Sequence, residues 1–285
     1  MRIKSILFML FYLIIISSAY SAIKIERNIN YSNSINGDRN LLDVYYPKDI
    51  QTPKIVLVFI HGGSWNSGKK GTYWWMGRNF ASENVVTVII NYSLSPKYQY
   101  EQMASDCAEA IKWVKNNVSK YGGNPDQIFT MGHSAGGHLA ALINSNLLFF
   151  QNQGIPNPIK GVILNDAFGL DMYEYLTKAQ QSEQNNSFLN TFSNDEEIWK
   201  AGSPFTYLNT IKTPFLIFTG GRTYPAIQIQ SKRFFEQLTS DGKPTEYKII
   251  EKKNHVQMIS QMVFKGNKLY KEIISFMEKV LKDNG

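Results

Sequence analysis

Thr130-Met131-Gly132-His133-Ser134-Ala135-Gly136-Gly137-His138 decides how the rest of this chain is read. Before it, Gln127-Ile128-Phe129-Thr130 reads as a short strand. After it, Leu139-Ala140-Ala141-Leu142-Ile143 reads as the start of an apolar helix. The centre, Gly132 to Gly136, has the spacing G-x-S-x-G. A serine held on a sharp strand-to-helix turn has strained backbone angles, and glycines two residues to either side relieve the crowding. Such a turn lifts the hydroxyl above the sheet. The helix N-terminus below it supplies N–H groups and a positive dipole end for a developing oxyanion. The spacing also arises in incidental Gly/Ser turns. The strand before and the helix after make Ser134 a candidate nucleophile.

Working outward, Ile55 to Ile60 is a continuous apolar run, as expected of a strand covered on both faces. It leads into His61-Gly62-Gly63-Ser64-Trp65, where two glycines let the backbone approach a ligand closely. Val85–Ile90, Ile159–Asn165, Pro214–Thr219 and Thr245–Glu251 read as further strands. Asp106–Tyr121, Gln228–Leu238 and Lys268–Leu281 read as helices, the last with Leu269, Ile273, Phe276, Met277 and Val280 inward. Gly122-Gly123-Asn124-Pro125-Asp126 turns the chain into the serine strand. Nearer the start, Ile23–Ile29 and Leu41–Tyr46 are strands, with Asn36-Gly37-Asp38 as a hairpin signal between them. Strands alternating with helices at this spacing predict an α/β domain with a mostly parallel central sheet flanked by helices.

The loop His61-Gly62-Gly63-Ser64-Trp65 followed by Gly132-His133-Ser134-Ala135-Gly136-Gly137 resembles the α/β-hydrolase esterases. It is most similar to the carboxylesterase and hormone-sensitive-lipase-like branch, and within it to feruloyl/acetyl-esterase-like domains with an HGGxW loop. The resemblance runs from Leu41 to about Phe276 and includes Leu42-Asp43-Val44-Tyr45-Tyr46-Pro47 and Gly202-Ser203-Pro204. It implies an α/β-hydrolase fold, and a small cap between the sixth and seventh strands, from Met172 to about Ala201. Phe188, Leu189, Phe192, Ile198 and Trp199 give that polar, helix-prone insertion something to pack. It also implies an oxyanion site on the N–H groups of Gly63, Ser64 and Ala135. Of the aromatic residues near the motifs, Trp65, Tyr92 and Tyr224 are expected to contact substrate, with Tyr73, Trp74 and Trp75 close by.

A serine needs a base to act at neutral pH, and the chain has four histidines. His61 belongs to the glycine loop and is expected to brace it. His133, inside the elbow, is expected to point away, and His138 to lie in the helix beneath the serine. That leaves His255, after the last strand, which is where the resemblance puts the base. The acid departs from the pattern. Similar esterases carry G-x-x-D after the strand that corresponds to Phe215–Phe218. Here the segment is Gly220-Gly221-Arg222-Thr223, with threonine where aspartate is expected. Asp166, at the end of the preceding strand, is the first candidate for a relocated acid. Asp171 and a Ser–His dyad are the others. Asp106 is expected to cap its helix or to hold a structural ion pair.

The 285 residues, 43% hydrophobic and 19% charged, suffice for one large domain and carry no disorder signature. Met1-Arg2-Ile3-Lys4, the apolar run Ile6–Ile16 and the small residues Ser17 to Ala22 have the layout of a secretory signal, with Ala19 and Ser21 suited to the cleavage positions. The apolar run is short against the roughly 20 residues of a membrane span. The expected organisation is a signal peptide over 1–21 and the hydrolase domain over 22–285, exported to the periplasm or the medium. Positive charges are scattered, without a basic run, so nucleic acid is not an expected partner. Cys107 is the only cysteine, no Cys/His cluster has metal-ligand spacing, and no metal or cofactor is expected. The expected activity is hydrolysis of short acyl or aryl esters on a small molecule or a decorated carbohydrate. Amide hydrolysis, as in formamidases with the same motifs, is one alternative. A lapsed hydrolase serving as an exported binding protein is the other, and intact Ser134, His255 and loop glycines count against it.

Overall fold

The computed structural model describes residues 23–32, 39–178 and 183–283, the side chains of 183–186 excepted. The expected signal segment and the Asn36-Gly37-Asp38 turn lie outside the described residues. Eight strands form one sheet in the order β1-β2-β4-β3-β5-β6-β7-β8. They are β1 (Ile23–Asn30), β2 (Leu41–Pro47), β3 (Lys54–Ile60), β4 (Val86–Ile90), β5 (Gly123–His133), β6 (Ile159–Asn165), β7 (Phe215–Gly220) and β8 (Thr245–Ile250). β2 pairs antiparallel with β1 and β4, and every other neighbouring pair is parallel. This is an α/β-hydrolase fold.

The central strands are mostly apolar because side chains alternate between two covered faces. Val56, Val58, Ile60, Val162, Leu164, Phe215 and Ile217 belong to one core, with residues of α2 (Tyr100–Asn117) and α3 (Ala135–Ser145). Leu57, Phe59, Met131, Ile163, Leu216 and Phe218 belong to the other, with α1 (Trp74–Ala81) and α10 (Lys268–Asp283). Every residue of α3 is buried, which a helix of this composition requires. α10 buries Leu269, Ile273, Phe276, Met277 and Val280 at helical spacing and turns its lysines outward.

Two expectations need revision. The helix read from Asp106 begins earlier, at Tyr100, so Asp106 is mid-helix and caps nothing. It is buried and accepts hydrogen bonds from the Ser93 N–H (2.7 Å) and Gln102 Nε2 (2.8 Å), tying down the loop after β4. Burial pushes its pKa up. Of the aromatic stretch at the start of α1, Tyr73 and Trp75 pack against the core on the face opposite α3, while Trp74 is exposed.

Strand register sets up the site. His133 pairs with Asn165, and Asn165 with Phe218. The residues just past β5 and β6, Ser134 and Asp166, therefore emerge side by side at the C-terminal edge of the sheet. α5 (Met172–Lys178), α6 (Glu183–Phe192) and α7 (Glu196–Ala201) follow β6 as the small cap, its residues 179–182 lying outside the description. Phe188 and Phe192 are buried. The remaining α-helices among the described residues are α4 (Leu148–Asn152), α8 (Pro225–Ser240) and α9 (His255–Ser260). Among the described residues no helix is long and apolar enough to cross a membrane.

Candidate active site

Ser134 sits between β5 and α3 with φ 54° and ψ −123°, a conformation that costs an ordinary residue about 1–3 kcal/mol. The surrounding structure holds it there. Its N–H reaches the Asn165 carbonyl (3.3 Å), and its own carbonyl accepts from the N–H groups of His138 (3.1 Å) and Phe168 (3.2 Å). The glycines allow this packing. A Cβ on Gly136 would stand 2.1 Å from the Ile60 carbonyl oxygen, and one on Gly62 would stand 3.2 Å from Ser134 Cβ. The serine turn and the loop after β3 thus meet backbone to backbone. Gly136→Ala is expected to destabilise the fold by about 3 kcal/mol, a drop of roughly 6–12 °C in melting temperature. Gly71→Ala, where a Cβ meets open space, is the control and should melt like the unmutated chain.

Ser134 Oγ donates to His255 Nε2 at 2.8 Å, and His255 Nδ1 donates to Asp166 Oδ2 at 2.7 Å. His255 opens α9 immediately after the N-cap Asn254, whose capping box with Gln257 fixes the entering backbone. Asp166 is fully buried and, like the serine, has a positive φ of 54°. The Gly220 N–H donates to its Oδ1 (2.8 Å), and the Thr223 hydroxyl donates to its Oδ2. Threonine at the usual acid position therefore does not leave a gap: it supports the carboxylate that arrives from the neighbouring strand. Asp171 is excluded as the partner of His255. Its carboxylate pairs with Arg233 Nη2 (2.7 Å) and caps α5 through the Glu174 N–H (2.8 Å). Asp166, by contrast, is the carboxylate in contact with His255.

The loop after β3 runs through three successive positive φ values, 130° at Gly63, 49° at Ser64 and 60° at Trp65. The Gly63 carbonyl closes the turn by accepting from the N–H groups of Asn66 (3.1 Å) and Ser67 (3.0 Å). Among the described residues no acceptor takes the N–H groups of Gly63, Ser64 or Ala135. These donors remain for a ligand.

Two expected substrate contacts are corrected. Trp65 is fully buried, because its positive φ turns the indole inward under the cap, where it meets Phe188 and Phe192 edge-on. Tyr92 is also fully buried. Its ring stacks on His61 at 4.4 Å and its hydroxyl donates to the His61 carbonyl (2.8 Å), so it braces the strand end. Tyr224 alone of the three is exposed, with its ring 5.2 Å from that of His255. Two of the histidines make contacts that the sequence did not show. His138 accepts from Trp65 Nε1 at Nδ1 (3.2 Å) and donates from Nε2 to the Gly202 carbonyl (2.7 Å). One imidazole thus links the glycine loop to the cap end. His133 does not point away but lies against His255, with ring centroids 4.8 Å apart. Burial first holds His61, His133 and His138 down to a pKa of about 4.

The BD-FAE family profile matches residues 42–238. The chain belongs to the BD-FAE family. Within this BD-FAE chain the matched span runs from β2 through most of α8, and so includes Ser134 and Asp166 but not His255. It is 27% identical to "Probable isoprenylcysteine alpha-carbonyl methylesterase ICMEL1" of Arabidopsis thaliana, over 88% of this chain and 55% of that protein. It is 29% identical to "Esterase LipQ" of Mycobacterium tuberculosis, over 73% of this chain and 52% of that protein. The BD-FAE chain thus spans about half the length of these two relatives. A solved structure described as the truncated form of a carbohydrate esterase from gut microbiota superposes with a TM-score of 0.77. The two are 18% identical, over 92% of this chain and 97% of that one.

Proposed function

We propose that this chain is an exported serine esterase that hydrolyses short acyl or aryl esters, including those that decorate carbohydrate. The observation that carries the reading is the connected series Ser134–His255–Asp166, with free N–H donors beside the serine. His255 takes the hydroxyl proton as Ser134 Oγ attacks the ester carbonyl. The negative oxygen that develops is held by the N–H groups of Ala135 and of Gly63 and Ser64. Asp166 keeps the imidazole proton on Nδ1 and stabilises the imidazolium. His255 then protonates the departing alcohol. Water, deprotonated by the same imidazole, frees the acid and restores the serine. Tyr224 at the mouth offers a ring face to a sugar or aryl group.

Export is supported by the basic start and apolar run of residues 1–22, and the carbohydrate substrate by the likeness to a carbohydrate esterase together with that export. The test is a panel of p-nitrophenyl acetate, p-nitrophenyl butyrate, methyl ferulate, acetylated xylan and an aryl amide, run beside Ser134→Ala. Turnover of the esters, with the amide slower by at least a factor of about 100 and Ser134→Ala at background, is the expected result. A folded chain that turns over no ester, or a Ser134→Ala variant that keeps its rate, would sink the reading. Faster amide than ester turnover would make the chain an amidase.

A further inference from the structure

We propose that His133, the variable position of the serine motif, is a positioning residue that clamps His255 in its working orientation. His255 needs such help because of where it stands. It follows β8, the edge strand, whose residues are mostly only half-buried, and it opens a helix of six residues whose next side chain, Val256, is exposed. His133 stands on far firmer ground as the last residue of the central strand β5, paired with Asn165 and almost fully buried.

Two contacts join the residues. The imidazole rings lie 4.8 Å apart at an interplanar angle of 28°. His133 Nε2 donates to the His255 carbonyl oxygen at 3.1 Å, and because a carbonyl only accepts, that bond fixes the tautomer of His133. One contact limits rotation of the reacting ring, and the other fixes the backbone from which it hangs. Burial, and after it the neighbouring His255, hold the His133 pKa down to about 4. The clamp is therefore neutral at pH 7 and adds no charge beside the imidazolium that forms during turnover.

The kinetic arm of the test rests on the esterase reading, so a second arm does not use turnover. In the intact chain, His133→Phe keeps a ring and loses the donor, His133→Gln keeps a donor and loses the ring, and His133→Ala loses both. His133→Ala is expected to lower kcat for p-nitrophenyl butyrate by about 10- to 100-fold, with KM within about twofold. The Phe and Gln variants should each recover part of the loss. The proton NMR signal of His255 Nδ1–H, bonded to Asp166, should be sharp in the unmutated chain and broadened in His133→Ala. A His133→Ala variant that melts cooperatively, retains that signal unchanged and keeps kcat within about twofold overturns the proposal, as does a loss confined to KM. If His133→Ala does not fold, the Phe and Gln variants decide: both at full rate with a sharp signal would overturn it. If the unmutated chain hydrolyses no ester, the esterase reading falls and the NMR arm alone decides the clamp.

Discussion

Asp166→Asn should lower kcat for p-nitrophenyl acetate by about 10⁴-fold, equivalent to about 5.5 kcal/mol of transition-state stabilisation. The size follows from the hydrogen bonds around the carboxylate. The Gly220 N–H points at Oδ1, so an asparagine must keep its oxygen there and turn its NH₂ group toward His255 and Thr223. The NH₂ group donates to Nδ1, which drives the imidazole proton to Nε2. That nitrogen then faces Ser134 Oγ carrying a proton and cannot accept another. Steady-state kinetics beside Ser134→Ala checks this, and a rate within tenfold of the unmutated chain would show that the acid lies elsewhere. Thr223→Asp separates the geometry from the family pattern. It would place a second carboxylate against Asp166, where Thr223 now donates, and two carboxylates sharing one site resist joint ionisation. Activity should therefore fall in Thr223→Asp, although the variant restores the residue that similar esterases carry.

Acid should destabilise the chain between about pH 6.5 and pH 4 through three buried histidines. His61, His133 and His138 are buried with pKa values of about 4, against about 6.5 in an unfolded chain. Between those values the unfolded state binds more protons than the folded one, so stability falls as pH falls. The contribution is complete above about pH 6.5 and is lost as pH drops toward 4, at about 3 kcal/mol for each histidine. The histidines share this direction because each lies where a charge would lack water. His61 has only the Gly62 carbonyl (2.8 Å) at Nδ1, and Nε2 has no partner among the described residues. Urea denaturation at pH 7, 5.5 and 4.5 checks the prediction through the midpoint at constant slope. A midpoint that does not move over that range would contradict it.

The fold was legible because most of its central strands are apolar runs, as in Ile55–Ile60, Val86–Ile90 and Phe215–Phe218. Ile159–Asn165 needed no context, and neither did the inward stripe of Lys268–Leu281. His255 was legible because four histidines leave few choices once the serine is placed. Asp166 was legible as a candidate, but the role of Thr223 was not. A hydroxyl supporting a carboxylate from another strand is a contact across 57 residues, and local spacing carries no trace of it. The misreadings share a cause. Trp65 and Tyr92 were read as substrate contacts from their closeness to motifs, yet the side of the loop a ring faces depends on backbone angles, and Trp65 at φ 60° turns in. His133 was read from the geometry of its own turn, whereas its partner arrives 122 residues later.

The His138 connection has a direction. An indole can only donate and a carbonyl can only accept, so the imidazole between Trp65 and Gly202 must present a lone pair upstream and a proton downstream. It works as a keyed joint: a side chain of matching size with one polarity, or none, would strand a buried partner on one side or the other. The cap and the glycine loop are therefore not interchangeable parts. A chimera that imports a cap from another chain of this fold inherits a working loop only if a carbonyl returns to the place Gly202 holds, however well the rest of the insertion packs.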